Sequence, residues 1–245
     1  LNILLTNDDG IDAPGLAALY ESIQRHIDSS ISVVVVAPDR GRSECGHSVT
    51  TSRALTVQEV RKNWHSVDGT PVDCVRVATA TVQPEIDLVI SGINAGANLG
   101  ADLLVSGTFA AAREASMQGI PAMAVSHYRH PEIESTWDHV GDWLGDTIAE
   151  FLRLAESKQP IPSVPLWNVN LPAINPSGPR PNRVECDVDQ LSMIRTAKRT
   201  SRAEPDRIEV CLLTDFHRRP RAEGSDVDLC FGGQITLSRL NPRIV

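Results

Sequence analysis

Ile31-Ser32-Val33-Val34-Val35-Val36-Ala37, closed by Pro38, is the stretch that decides the architecture. Successive side chains in a strand point to opposite faces, so a half-buried strand alternates apolar and polar residues. Four consecutive valines leave neither face polar. Such a strand is covered on both sides, as in a parallel sheet with helices above and below. Upstream, Ile3 to Leu5 forms a shorter run of the same kind, ending in Asn7-Asp8-Asp9-Gly10. Between the two runs, Pro14 suits a first helical position, and Leu16, Leu19, Tyr20, Ile23 and Ile27 recur at helical spacing.

Downstream the alternation repeats. Ile86 to Ser91 is another buried run, leading into a glycine-rich loop. Thr108 to Gln118 reads as a helix, with Gly119 just past its end. Ala122 to Ser126 is a further strand. Trp137, Val140, Leu144, Ile148, Phe151, Leu152 and Ala155 mark one face of a long helix, and Val164 to Asn170 reads as a last core strand. Strand–helix alternation of this kind defines a doubly wound α/β sheet. From about Pro172 prolines cluster, then Arg195, Lys198, Arg199, Arg202 and Arg207, and later His217, Arg218, Arg219 and Arg221. The expected division is a catalytic core over 1–171 and an appendage over 172–245, an extended hairpin or arm followed by a closing strand at Gln234 to Leu240.

The chain has 245 residues, enough for one sizeable core, and an aromatic share of only 4% makes that core aliphatic. A formal net charge of −8 argues against a stable nucleic-acid partner, which requires a basic face. It does not argue against a small anion held beside a bound cation. Cys45, Cys74, Cys186, Cys211 and Cys230 are odd in number and irregularly spaced, so reduced thiols are expected rather than a disulfide framework. No stretch has the length of a membrane helix or the form of a signal peptide, and the expectation is a cytoplasmic protein with no membrane partner.

Ligands of open α/β sheets bind beyond the carboxyl ends of the strands, and three such ends carry polar residues. At the first, Asp8 and Asp9 lie past the strand, where Gly10 permits a sharp turn. Both carboxylates can then converge on one hard cation, Mg²⁺ or Mn²⁺. An ordinary capped turn is the plainer account of the same residues. The second is Pro38-Asp39-Arg40-Gly41-Arg42-Ser43, continuing through Gly46-His47-Ser48-Val49-Thr50. Its hydroxyls could ligate a metal or bind phosphate, and Arg40 or Arg42 could face an anion. Arginines paired with surface acids and a structural His47 are the alternative. The third runs from Ser91-Gly92-Ile93-Asn94 through Asn98-Leu99-Gly100 and Asp102 to Ser106-Gly107-Thr108 before a helix. A helix N-terminus with free N–H groups is a phosphate site, while simple capping by Ser106 or Thr108 is the alternative. A metal beside an anion hole is the ingredient list of phosphoryl transfer.

These segments, with Gly69-Thr70-Pro71-Val72-Asp73-Cys74-Val75, occur in the order of the SurE family, the stationary-phase survival protein nucleotidases, which the first half of the chain closely resembles. The resemblance implies a Rossmann-like core and a metal-dependent 5′-nucleotidase, a phosphomonoesterase acting on nucleoside 5′-monophosphates. It implies one divalent ion held by Asp8, Asp9, Ser43 and Asn94, with Asp8 and Asp9 catalytic. Asn98, Ser106, Gly107 and Thr108 would line the phosphate pocket, and the arm would exchange between subunits of a homodimer or homotetramer. Attack by a metal-polarised water and attack by Asp8 to give an aspartyl phosphate both remain open. So does extension to 3′-nucleotides or polyphosphate. Glu44, Cys45 and Val105 depart from the family pattern, and the C-terminal third matches it weakly.

Three other readings compete. A phosphoacceptor receiver domain needs an aspartate where Ser91 and Gly92 stand. A haloacid-dehalogenase-type phosphatase needs two acids separated by one residue, whereas Asp8 and Asp9 are adjacent. A catalytically silent nucleotide-binding sensor or scaffold could use the same residues as the enzyme.

Overall fold

The computed structural model describes residues 1–26, 30–156, 164–200 and 208–242, with side chains to 154 in the second segment. Ile27 and Ala155, two positions of the helical patterns above, lie outside the described side chains. Five strands and four helices build the part that holds the site: β1 (Asn2–Thr6), α1 (Pro14–Gln24), β2 (Ser32–Pro38), then β3 (Val57–Arg61), β4 (Trp64–Val67), α2 (Pro71–Val77), β5 (Leu88–Ala95), α3 (Gly107–Met117) and α4 (Val140–Glu156). Strand β6 (Ala122–His127) lies between the last two helices, and β7 (Leu166–Leu171) follows α4. The remainder is β8 (Arg183–Glu185), β9 (Arg195–Arg199), β10 (Val210–Thr214), α5 (Asp226–Phe231) and β11 (Ile235–Leu240).

The nine-stranded sheet has the order β3-β4-β2-β1-β5-β6-β7-β11-β8. From β4 to β7 every pairing is parallel. The valine run is covered on both faces, as its composition demands. Val33, Val35 and Ala37 pack in a cluster with α1 and α4 residues such as Leu16, Leu19, Leu144 and Phe151. Val34 and Val36 pack in a second cluster with Val75 of α2 and Ala111, Ala112 and Ala115 of α3. Strand β1 alternates likewise, with Ile3 and Leu5 in the first cluster and Leu4 in the second.

Several local expectations hold for identifiable reasons. Pro14 opens α1, where its missing N–H costs nothing. Gln118 caps α3 and Gly119 follows at φ +87°. The apolar face of α4 buries Val140, Leu144, Ile148, Phe151 and Leu152, while Trp137 sits in the turn before the helix. Other elements differ. Gly92 to Asn94, expected as loop, belongs to β5, which runs to Ala95 with a register irregularity between Ser91 and Asn94. Such an irregularity re-aims the side chains that follow it. Val164 to Asn170 is not the last strand of the sheet, because β11 adds antiparallel to β7 and β8 adds parallel to β11.

Strands β9 and β10 form a separate antiparallel hairpin in which every residue is exposed, as the arm reading anticipates. Leu212 is 78% exposed and Ile194 64%. An isolated two-stranded hairpin is marginal in water.

Candidate metal and phosphate site

The sheet reverses its winding between β1 and β5: chain order proceeds from β1 outward to β2 and β4, then returns to β5 on the other side of β1. The crevice beyond the carboxyl ends of these two strands is where a doubly wound fold binds ligands. Asn7-Asp8-Asp9-Gly10 leaves β1 into that crevice. The buried Asn7 side chain closes the turn, donating from Nδ2 to Gly10 O (2.8 Å) and accepting from Gly10 N–H at Oδ1 (3.2 Å). Gly10 has φ +105°, a conformation that side chains resist. An added Cβ would lie 3.0 Å from the Arg40 carbonyl carbon.

The two adjacent carboxylates part company in their surroundings. Asp8 is 5% exposed and Asp9 is half-buried. Asp9 Oδ2 accepts the Ala95 N–H at 2.9 Å, tying the β1 turn to the end of β5. Asp8 points at the start of α3, where Thr108 Oγ1 donates to its Oδ1 at 2.5 Å and the Thr108 backbone adds a second hydrogen bond. Burial is the main force pushing the Asp8 carboxyl up to about 6, with the Asp9 charge adding to it and the Thr108 bonds opposing it. Gly107 makes the approach possible: a Cβ there would stand 2.9 Å from Asp8 Cβ, 3.0 Å from its Oδ2 and 3.1 Å from Cys45 Sγ.

The chain neighbours of Ser43 and Asn94 bond to the β1 turn. The Arg42 N–H donates to Asp8 O at 2.7 Å, so exposed Ser43 follows directly on that contact. Asn94 precedes Ala95, and its Nδ2 donates to Gly96 O at 2.8 Å, leaving Oδ1 as the amide's available acceptor. The donor set of Asp8, Asp9, Ser43 and Asn94 is all oxygen. No Arg or Lys forms an ion pair with Asp8 or Asp9 among the described residues. Nor do three His, Cys, Asp or Glu side chains gather there as a metal cluster. A cation would therefore rest on two carboxylates and neutral oxygens, the donor chemistry of Mg²⁺ or Mn²⁺. Two crowded carboxylates without a counter-charge fit such an ion.

On the phosphate side the structure distributes the work. Ser106 is the N-cap of α3, its Oγ accepting the Phe109 N–H at 3.0 Å. The Thr108 hydroxyl is engaged by Asp8. Asn98 is buried and held by β7: its N–H donates to Asn170 Oδ1 (2.9 Å), its carbonyl accepts from Asn168 and Asn170 Nδ2 (3.0 Å each), and its own Nδ2 donates to Ser126 Oγ (2.8 Å). The Asn168 and Asn170 pair was invisible in the sequence as a site feature, since in a strand of Val and Leu it reads as ordinary polarity.

The plainer accounts apply to the second loop's charges. Arg42 pairs with Asp39 at 2.8 Å, and Arg40, largely exposed, lies 3.6 Å from the same carboxylate. His47 donates from Nε2 to Glu114 Oε2 (2.9 Å) and accepts from Arg113 at Nδ1 (3.2 Å). The Gly46–Thr50 and Gly69–Asp73 motifs latch to one another: Thr50 donates to both Asp73 oxygens, at 2.9 Å and 2.7 Å, and Thr70 Oγ1 donates to Ser48 O at 2.7 Å.

Burial would raise the Glu114 carboxyl, but hydrogen bonds from His47, Arg76 and Gln118 and the charge of Arg76 outweigh it and hold the group at about 2. A depressed carboxyl contributes stability above its unfolded value of 4.5, and that contribution is lost as pH falls toward 2. Glu114→Gln is expected to cost about 1–2 kcal/mol at pH 7, with the deficit shrinking from about pH 4.5 downward. Thermal melts of both proteins from pH 7 to pH 3 check this, and a deficit that stays constant across the range refutes the ion-pair origin.

Fold and site together define a doubly wound α/β protein with an oxygen-donor acidic centre and an adjoining helix N-terminus at its topological switch point. The family profile described as Survival protein SurE matches residues 3–202. A provisionally named 5′-nucleotidase of Nostoc sp. is 38% identical over 240 residues, covering 98% of this chain and 99% of that one. The 5′-nucleotidase SurE of Desulforudis audaxviator is 41% identical over 196 residues, 75% of this chain and 71% of its own. The crystal structure of the SurE protein from Aquifex aeolicus superposes with a TM-score of 0.80 at 28% identity, covering 100% of this chain and 95% of that one. The chain belongs to the SurE family.

Proposed function

We propose that this chain is a divalent-metal-dependent phosphohydrolase that releases phosphate from nucleoside 5′-monophosphates. The observation that carries the reading is the placement of Asp8 and Asp9 at the β1/β5 switch point, Asp8 against the N-terminus of α3 and Asp9 against the end of β5. Relatives bearing the name 5′-nucleotidase SurE support it. Asp8, Asp9, Ser43 and Asn94 would hold the ion, which when bound supplies positive charge to offset the charge of the transferring phosphoryl group.

The chain's own groups do the rest. Thr108 fixes the rotation of the Asp8 carboxylate through Oδ1, and Oδ2 lies against Gly107. The missing side chain at Gly107 lets Asp8 pack against the helix N-terminus, whose N–H groups and partial positive charge favour an anion. Asn170 and Ser126 anchor Asn98, at the start of the loop that leads into α3. The exposed apolar residues of the β9–β10 hairpin, Leu212 and Leu213 among them, support its use between subunits of a homodimer or homotetramer.

The test is phosphate release from a panel of 5′-mononucleotides, 3′-nucleotides and polyphosphate with Mn²⁺, with Mg²⁺ and with EDTA. Release from the 5′-nucleotides that EDTA abolishes is expected. Mn²⁺ binding without release from any nucleotide would overturn the hydrolase in favour of a nucleotide-binding sensor.

A further inference from the structure

The loop from Asn98 to Ser106 links the end of β5 to the start of α3, and its far side rests on the C-terminal segment. Arg219 is 8% exposed although it carries a full charge. Its Nη1 donates to the Asp102 carboxylate and its Nη2 to Leu99 O at 2.8 Å. Asp226, fully buried, accepts the Gly100 N–H at Oδ2 (2.9 Å) and the Asp189 and Val227 N–H groups at Oδ1 (2.8 Å each). Leu99 is buried in a small cluster with Tyr128, Val227 and Cys230, with Phe216 and Phe231 against it. Thus two consecutive loop positions, Leu99 and Gly100, and Asp102 are each gripped by residues that follow the hairpin.

Buried ion pairs add little net stability, because desolvation consumes most of the Coulomb gain. Their value lies in fixing one arrangement of what they join. Here the Arg219–Asp102 pair joins the short 3₁₀ helix Gly100–Leu104, which runs into the Ser106 cap, to a segment that begins five residues after β10 ends. Gly100 keeps the grip close: a Cβ there would stand 3.0 Å from Arg219 Nη2.

We infer that Arg219 and Asp226 are positioning residues, a buried clamp at the foot of the hairpin that sets where the β5–α3 loop delivers Asn98 and the N-terminus of α3. The inference rests on the reading of that loop as the phosphate side of the site. Neither residue touches the reacting atoms. The clamp also connects the hairpin to the site, so that seating of the hairpin base and binding of an anion favour the same loop position.

The test uses the full chain loaded with Mn²⁺ and titrated calorimetrically with inorganic phosphate, together with amide hydrogen exchange. Arg219→Met is expected to weaken phosphate binding at least about tenfold while leaving Mn²⁺ affinity within about twofold. Exchange over 98–108 should accelerate at least about tenfold, with β1 and β2 amides unchanged. Arg219→Lys keeps the charge but cannot span Leu99 O and Asp102 as a planar fork, so it should show a smaller shift of the same kind, and it carries the test if Arg219→Met does not fold. Phosphate affinity within about twofold of wild type in the folded variants, or faster exchange spread evenly over the chain, would show a merely structural role. A wild-type protein that binds phosphate but hydrolyses no nucleotide defeats the hydrolase reading and leaves the clamp to be judged by binding. One that binds no phosphate overturns the clamp as well.

Discussion

Asp8→Asn is expected to lower kcat for nucleotide hydrolysis by about 10²- to 10³-fold, the order of loss that follows removal of one group stabilising the transition state. The variant should nonetheless fold at least as well as wild type. Asp8 is buried beside a second carboxylate, and burial is the leading cause of its raised carboxyl. An amide of the same shape keeps an acceptor for Thr108 Oγ1 and relieves both the desolvation and the repulsion from Asp9. In EDTA its thermal midpoint should equal or exceed wild type by about 2–6 °C. Stored strain of this kind is the usual exchange between stability and activity at a functional site. Calorimetric melts and steady-state kinetics on the same preparation check both halves. Activity near wild type would sink the assignment of the site, and a large fall in the melting point would mean that Asp8 serves the fold.

Gly15→Ala should produce a large loss of stability. A methyl group on Gly15 would lie 2.0 Å from Ile93 O, 2.8 Å from Trp137 Cη2 and 3.1 Å from the Ile93 carbonyl carbon. Two of these three are backbone atoms, which cannot rotate away. Helix α1 must therefore lift from β5, at a cost of about 2–4 kcal/mol, the upper range of overpacking penalties. The expected fall in thermal midpoint is about 5–15 °C. Activity should fall as well, since Ile93 precedes Asn94 and α1 follows the Asp8–Gly10 turn. Cys74→Ala, also buried but in the second cluster, serves as the comparison: it should lower stability modestly and leave kcat intact. A Gly15→Ala protein with unchanged melting point would show that the helix–strand contact is looser than drawn.

The chain's local chemistry announced its winding. A run of four valines can be buried only between two helical layers, and the clusters on its two faces are the direct consequence. Asp8, Asp9 and Gly10 were legible because a strand end followed by acids and glycine is a local pattern. The Ser106 cap and the Gly119 terminator were legible for the same reason. The β3–β4 hairpin and the shortest strand were harder. Strand β3 is exposed along its whole length, and β8 has three residues, so neither shows a period. The closing helix α5 is six residues long, too short to display an amphipathic face.

What the sequence by itself determined is therefore the set of strongly periodic elements, the aliphatic core and the residues at the carboxyl ends of the strands, because these depend on neighbours within about ten positions. Tertiary structure alone decided which of those residues meet. Asp8 and Thr108 are 100 positions apart and Asp9 and Ala95 are 86 apart, yet each pair is hydrogen-bonded. Arg219 and Asp102, separated by 117 positions, form an ion pair that no local pattern encodes. Hydrogen bonds and ion pairs of this range are set by strand order and by the close approach of helix to sheet, and those follow from packing the whole chain at once.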